Sequence, residues 1–119
     1  MKAQRFAWSE MPPEQVTDRF RRQMIVGENE MLCRLELAPG CAVPEHSHVN
    51  EQISHVLQGR LRFQIEGESI EIGPGESLLI PPNVPHAVEV VGDEPVVDFD
   101  IFSPIRRDWL DGTDDYLRK

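Results

Sequence analysis

The sequence predicts an all-β, single-domain fold, either a β-sandwich or a jelly-roll barrel. Short apolar or alternating runs recur along the chain, and turn-forming residues separate them. The 119 residues include 10 prolines and 8 glycines, which lie largely between these runs. Because one domain takes roughly 100–200 residues, this length fits a single domain with its own core. These features are typical of a sandwich or jelly roll rather than an α/β fold.

Eight strands follow from the alternation of apolar and polar residues. The clearest is 31–37, where Met31, Cys33, Leu35 and Leu37 share one face of the strand. The eight predicted strands cover residues 20–26, 31–37, 51–57, 61–66, 69–72, 77–80, 86–91 and 96–102.

Three segments follow from this pattern. Residues 1–18 are expected to form a polar N-terminal arm, residues 19–103 the barrel, and residues 104–119 a C-terminal tail with a short helix. The tail is rich in acidic residues, which are usually solvated. The aspartates expected on the tail surface are Asp108, Asp111, Asp114 and Asp115.

The charge balance restricts the partners. The formal net charge is −9, whereas a nucleic-acid-binding surface needs clustered Lys and Arg. The N-terminus lacks the apolar core of a secretion signal, and no apolar run approaches the ~20 residues that span a bilayer. We therefore expect a cytoplasmic protein that binds neither nucleic acid nor membrane, with Cys33 and Cys41 as free thiols. Exposed sheet edges need cover, which predicts a homodimer.

Three histidines and a glutamine have spacing suited to metal binding. His46, His48 and Gln52 would point the same way in a strand, where i and i+2 side chains lie ~6.6 Å apart. Two imidazoles at that separation can both reach one ion at ~2.1 Å. His86 follows a proline-rich loop, residues 81–85, that would fix its entry into a strand. The spacing alone leaves a second interpretation open, in which the histidines lie on a polar sheet face without a metal.

A longer pattern resembles the two sequence motifs of the cupin superfamily. The residues of the first motif are Gly40, His46, His48, Gln52 and Gly59. The residues of the second motif are Gly75, Pro81 and His86. The resemblance implies a cupin jelly-roll β-barrel (double-stranded β-helix) that binds one divalent transition metal ion. The implied ligands are His46, His48, Gln52 and His86. Imidazole and oxygen ligands suit Zn, Ni, Mn or Fe.

The sequence departs from these motifs at three positions. Gln52 replaces the usual Glu, Asn83 the usual Gly and Val90 the usual Asn. A register slip of one residue would present Glu51 to the metal, but strand parity favours Gln52. With Gln52, all four ligands are neutral and the ion keeps its full charge. Such a site favours Lewis-acid chemistry on an anionic substrate over dioxygen chemistry.

Chemistry around the metal is predicted from the last strand and the tail. The last strand places Asp98, Asp100 and Phe102 on one face. The carboxylates could face a cavity and act as acid or base, or they could face solvent. Arg106 could bind a carboxylate at the barrel mouth, or it could pair with Asp108 on the surface.

The tail also carries a narrower resemblance. Together with His46-Ser-His48, the stretch from Asp100 to Asp108 resembles the small cupins of pectin and alginate breakdown. Those proteins open the ring of an unsaturated monouronate to give the linear keto acid. The resemblance implies that Asp100 and Arg106 are catalytic, as acid/base and carboxylate-binding residues, and that Phe102 lines the pocket. It also implies a small anionic sugar-acid substrate. Two alternatives stay open: an Fe or Mn dioxygenase, and a non-enzymatic sugar- or metal-binding module.

Overall fold

The computed structural model describes residues 2–117 as two antiparallel sheets with little helix. The strands are β1 Glu14–Thr17, β2 Phe20–Val26, β3 Met31–Leu37, β4 Ala42–His46, β5 Glu51–Gln58, β6 Leu61–Ile65, β7 Glu68–Ile72, β8 Ser77–Ile80, β9 His86–Val90 and β10 Val96–Ser103. One α-helix, α1 Arg107–Asp111, is accompanied by 3₁₀ turns at Trp8–Glu10 and Asp115–Leu117. Within residues 2–117, no helix is both long enough and apolar enough to cross a bilayer.

The two sheets confirm the all-β prediction. The larger sheet has the order β1-β2-β3-β10-β5-β8, and the smaller has the order β4-β9-β6-β7. All eight predicted strands are present, with ends that agree to within one residue. The prediction missed β1, which lies in the segment expected to be an arm, and β4. Neither alternates clearly, and Pro44 interrupts β4.

Strand alternation directs one face of each sheet into a shared core. In β3, Met31, Cys33, Leu35 and Leu37 are all buried, as predicted. In β10, the same alternation buries Asp98, Asp100 and Phe102 instead. Polar side chains therefore lie inside the barrel where β10 and β5 face β4 and β9 of the other sheet. This arrangement sets up a polar site between the sheets.

Two turns explain how the motif residues fit their positions. Gly59 joins β5 to β6 with a φ of +80°, and a Cβ there would lie 2.7 Å from the Pro95 carbonyl oxygen. Only glycine fits so close an approach. Asn83 occupies the position where the cupin motif has glycine, and its φ is +66°. Asparagine tolerates this left-handed conformation better than most residues, so the substitution preserves the turn.

The C-terminal segment, residues 107–117, packs against the barrel. Trp109 and Leu117 are buried in the core. Asp114 lies 2.6 Å from Arg22 of β2, and both side chains are fully buried. The prediction that Asp114 is a solvated surface residue is therefore wrong. A buried guanidinium needs a counter-charge, and Asp114 of the tail supplies one beside Glu14 of β1, whose carboxylate lies 2.8 Å from Nε of Arg22.

Aliphatic side chains form a row on the outer face of the larger sheet. Leu79, Ile53 and Ile101 are neighbours in register across β8, β5 and β10. Their exposed fractions are 56%, 38% and 42%. Homodimerisation stays a prediction, and this face would be available for it.

Candidate metal centre

The three predicted histidines converge from three different parts of the backbone. His46 ends β4, His86 begins β9, and the two are paired in register. His48 lies in the loop between β4 and β5. One ring nitrogen from each histidine lies within 4.8 Å of those from the other two. This separation suits coordination of a common ion by three imidazoles, since each metal–nitrogen bond is ~2.1 Å long.

The convergence does not arise in the way that the spacing suggested. His46, His48 and Gln52 do not share one strand, because β4 ends at His46 and β5 begins at Glu51. The intervening loop turns back over the site. The Asn83 backbone N–H donates to the His48 carbonyl oxygen at 2.8 Å, which ties this loop to the loop before β9. The four-residue separation of His48 and Gln52 therefore reflects a loop, not strand periodicity.

Backbone hydrogen bonds orient all three imidazoles. In each ring, Nδ1 contacts a carbonyl oxygen two residues away in the chain. The partners are the oxygens of Pro44, Asn50 and Val84, at 2.8, 3.0 and 2.9 Å. A carbonyl oxygen only accepts, so each Nδ1 carries the proton and each Nε2 has a free lone pair. The Nε2 of His86 is buried with no hydrogen-bond partner within residues 2–117. Lone pairs are thus directed into the centre.

Gln52 supplies an oxygen to the same space. Its Nε2 donates to Ser54 Oγ at 2.9 Å and to Asp100 Oδ2 at 3.4 Å, which fixes the orientation of the amide. Its Oε1 then lies 3.1 Å from Nε2 of His48. Both of these atoms are acceptors when Nδ1 of His48 carries the proton, so no hydrogen bond joins them. Two acceptors facing each other fit a cation between them, as a His₃–amide metal site requires.

Burial also distinguishes Gln52 from its neighbour. Gln52 is 6% exposed, whereas Glu51 is classed as exposed on the opposite face of β5. The alternation of side chains along the strand favoured Gln52 over Glu51, and the structure agrees with it. Gln52 rather than Glu51 lies next to the histidines. The assignment of all four residues as ligands stays a prediction.

The histidines are held in their neutral form. Burial lowers the pKa of His46 and of His48 to about 4, and it also lowers the pKa of His86. The charge of Arg106 is the second cause at His48. Metal ions bind imidazole only through an unprotonated nitrogen, so the surroundings favour the metal-binding form at neutral pH.

A pair of buried carboxyl groups lies beside Gln52. Asp98 and Asp100 are 2% and 5% exposed, which decides between the two orientations left open by the sequence. Burial raises the pKa of both groups, most strongly for Asp98, whose ionisation is also opposed by the charge of Asp100. Ser54 Oγ donates to Asp100 Oδ1 at 2.6 Å. Two carboxyl groups with raised pKa values therefore lie next to the candidate metal centre.

Arg106 combines both of the roles considered for it. It is 2% exposed, and its Nε and Nη2 donate to the Asp108 carboxylate at 3.0 and 2.7 Å. The guanidinium carbon lies 5.0 Å from the Phe102 ring centroid and 4.9 Å from that of Trp109. The same side chain lines the cavity next to the histidines. Arg106 is thus paired with Asp108 and still directed at the site.

Sequence reasoning missed the aromatic residues that close this cavity. Tyr116 stacks on His46 with ring centroids 4.3 Å apart and an interplanar angle of 20°. Trp109 packs edge-on against Phe102 at 5.1 Å. Both rings line the cavity beside the histidines. Aromatic residues between the acidic residues of the tail were the available signal, since a solvated tail has little use for them.

Comparisons with known proteins support the fold. The model of the family described as "Cupin domain" matches residues 33–102. The chain is 30% identical over 71 residues to the uncharacterized protein MJ1618 of Methanocaldococcus jannaschii, covering 59% of this chain and 57% of that protein. The chain therefore spans little more than half the length of this curated relative.

Two solved structures share nearly the whole fold. KdgF from Halomonas sp. matches with a TM-score of 0.84 and 24% identity, covering 91% of this chain and 99% of that one. An RmlC-like cupin from Shewanella frigidimarina matches with a TM-score of 0.81 and 24% identity, covering 90% and 96%. The chain belongs to the cupin superfamily.

Proposed function

We propose that this cupin opens the ring of an unsaturated monouronate to give the linear keto acid. The observation that carries the proposal is the convergence of three kinds of group on one small cavity. These are the neutral ligand set of the candidate metal centre, the buried acid Asp100 and the buried cation Arg106. The substrate is a cyclic enol ether that carries a carboxylate and a hydroxyl group, so it presents a matching partner for each.

The four neutral ligands would leave the charge of a divalent ion uncompensated. A metal held by His46, His48, Gln52 and His86 supplies Lewis-acid polarisation of a substrate oxygen. The same charge attracts an anionic substrate into a protein whose net charge is −9. A neutral ligand set gives little stabilisation to higher oxidation states, which is why the dioxygenase alternative receives less support.

Asp100 is proposed to move the proton. In the reaction, the anomeric hydroxyl loses its proton and the bond from the anomeric carbon to the ring oxygen breaks. The ring oxygen becomes the oxygen of the ketone, and the alkene carbon that is not bound to it gains a proton. The product is an isomer of the substrate, so no oxidant or reductant is needed. Asp100 suits this role because burial raises its pKa, and because the hydrogen bond from Ser54 Oγ fixes its position.

Arg106 is proposed to bind the substrate carboxylate. Its Nε edge is occupied by Asp108, whereas Nη1 makes no hydrogen bond within the described chain. A carboxylate can pair with a guanidinium through two parallel hydrogen bonds, which fixes its orientation as well as its position. Phe102 lies beneath the guanidinium and forms the apolar wall of the pocket.

The direct test follows the loss of alkene absorbance when metal-loaded protein meets unsaturated galacturonate and guluronate monomers. We expect decay faster than in buffer. Asp100→Asn should slow ring opening ~10²-fold or more while metal content stays unchanged. Asp111→Asn, an exposed substitution on α1, is the matched control and should behave as the native chain.

The outcomes separate the alternatives. No acceleration over buffer by the native protein would reject the proposal. Oxygen consumption with a small organic substrate and a predominance of bound iron would instead favour the dioxygenase. Uronate binding without turnover in any metal form would favour the binding module. Full activity of Asp100→Asn would remove Asp100 from the mechanism. The reaction is proposed to take place in the cytoplasm, in keeping with the sequence-based expectation.

A further inference from the structure

The C-terminal segment forms part of the wall of the candidate site. The cavity beside the histidines is lined mostly by strands of the two sheets. Trp109, Tyr116 and Leu117 of the C-terminal segment complete the lining. Tyr116 also contacts Arg106, so a ligand carboxylate that pairs with the Nη1–Nη2 edge of Arg106 must displace Tyr116.

Tyr116 is attached to the site by two hydrogen bonds that its oxygen accepts. Nη2 of Arg106 donates to it at 2.5 Å, and Nε1 of Trp109 donates at 3.0 Å. Its ring lies on His46, so the side chain covers both the candidate metal centre and the guanidinium. Two convergent N–H donors, one of them cationic, form the kind of environment that binds a carboxylate oxygen.

The geometry of the Arg106 guanidinium determines which of its N–H groups a ligand carboxylate can reach. Arg106 has two edges with paired N–H groups, and Asp108 takes the edge formed by Nε and Nη2. The edge formed by Nη1 and Nη2 has one free donor, since Nη1 makes no hydrogen bond in the described part of the chain. Tyr116 covers the second donor of that edge. Burial raises the pKa of Tyr116, so its oxygen is a neutral acceptor and weaker than a carboxylate.

We infer that Tyr116 is a specificity-determining residue whose hydroxyl occupies the place of a substrate carboxylate oxygen. When a ligand binds, its carboxylate replaces the Tyr116 hydroxyl as the acceptor of the hydrogen bond from Arg106. Tyr116 is then released from the mouth of the site. A neutral sugar has no carboxylate to pair with Arg106, so it leaves the contact between Arg106 and Tyr116 intact. The inference rests on the proposed function for the identity of the ligand, but it concerns binding and not turnover.

The test measures binding with a sugar acid that has no alkene and cannot react. Galacturonate, and galactose as its neutral counterpart, are titrated calorimetrically into the metal-loaded full chain. Tyr116→Phe removes one oxygen and keeps the ring, so it should bind galacturonate about tenfold more tightly than the native chain. Galactose binding should not change. The control Asp111→Asn, on the same segment, should match the native chain for both sugars.

A second measurement needs no change at Tyr116. In a Trp8→Phe background, the remaining tryptophan is Trp109, which loses its hydrogen bond to Tyr116 when the segment opens. We expect galacturonate to shift the emission of Trp109 to longer wavelength and galactose to leave it unchanged. Equal or weaker galacturonate binding by Tyr116→Phe overturns the inference, as does constant emission on saturation. Ring-opening assays decide the proposed function separately, because both readouts here are independent of catalysis.

Discussion

Gln52→Glu tests whether the amide oxygen belongs to the metal centre. The native amide donates from Nε2 to Ser54 and to Asp100 Oδ2. A carboxylate in the same place cannot donate, and it would face Asp100 Oδ2 at about 3.4 Å. The substitution therefore restores the ligand that is usual in the cupin motif, but places two acids side by side in a buried site.

The magnitude follows from that distance. Two unit charges ~3.4 Å apart repel by ~5 kcal/mol at an effective dielectric constant of ~20. Keeping the new side chain protonated at pH ~7 instead costs ~4 kcal/mol, because its usual pKa is ~4.3 and each pH unit is worth ~1.4 kcal/mol. Protonation costs less, so we expect the metal-free variant to lose ~4 kcal/mol of unfolding free energy.

The pH dependence of this loss has a definite sign. The folded state raises the pKa of the new acid above its unfolded value. Its penalty is therefore absent below pH ~4.3 and develops as the pH rises, until the folded form also ionises. A bound metal ion favours the carboxylate, so metal should stabilise Gln52→Glu more than it stabilises the native chain.

Urea unfolding with and without metal checks these expectations. Gln64→Glu is the matched control, since Gln64 is exposed on β6 and bonds only to Ser69 in the described structure. Its unfolding free energy should change by less than ~0.5 kcal/mol. The reasoning would be refuted if metal-free Gln52→Glu were as stable as the native chain, or if metal stabilised both proteins equally.

Two further predictions concern stability and pH. Asp114→Asn removes one of the two carboxylates that face buried Arg22 and leaves Glu14, so the free energy of unfolding in urea should fall by ~1–3 kcal/mol; a loss below ~0.5 kcal/mol would contradict the buried pair. Burial lowers the pKa of His46 and of His48 to about 4 in the folded protein, whereas the pKa of histidine in the unfolded chain is ~6.5. As the pH falls below ~6.5, the unfolded chain therefore binds protons before the folded chain does, and the metal-free protein should lose stability. The folded, metal-loaded protein should keep its ion until the pH approaches 4, as measured by metal analysis after dialysis, and release centred near ~6.5 would contradict this.

Strand periodicity predicted most of the fold because the barrel buries one face of most strands. Where that signal is weak, the prediction failed. In β4, Pro44 breaks the run, and β1 has a single buried residue, Val16. Periodicity also cannot tell which face of a strand points inward when both faces carry apolar residues. In β10, Ile101 faces outward while Asp100 faces the core.

The candidate site was predicted by residue type and motif rather than by geometry. His46 and His48 come together through a loop, so the strand spacing that suggested the pair is not what places them. The contacts of the C-terminal segment depend on tertiary packing over more than ninety residues of chain, as between Arg22 and Asp114. Local sequence patterns carry no signal for such a contact. The aromatic residues of the tail could have indicated that Tyr116 is packed, but not which residues it packs against.

The most direct measurement of the central claim is the metal content of the purified chain after equilibration with each candidate ion and removal of the excess. We predict one tightly held divalent ion per chain with at least one of Zn, Ni, Mn and Fe(II), and loss of that ion in His86→Ala. Retention of no ion in any of these salts would contradict the account. Undiminished retention by His86→Ala would contradict it equally.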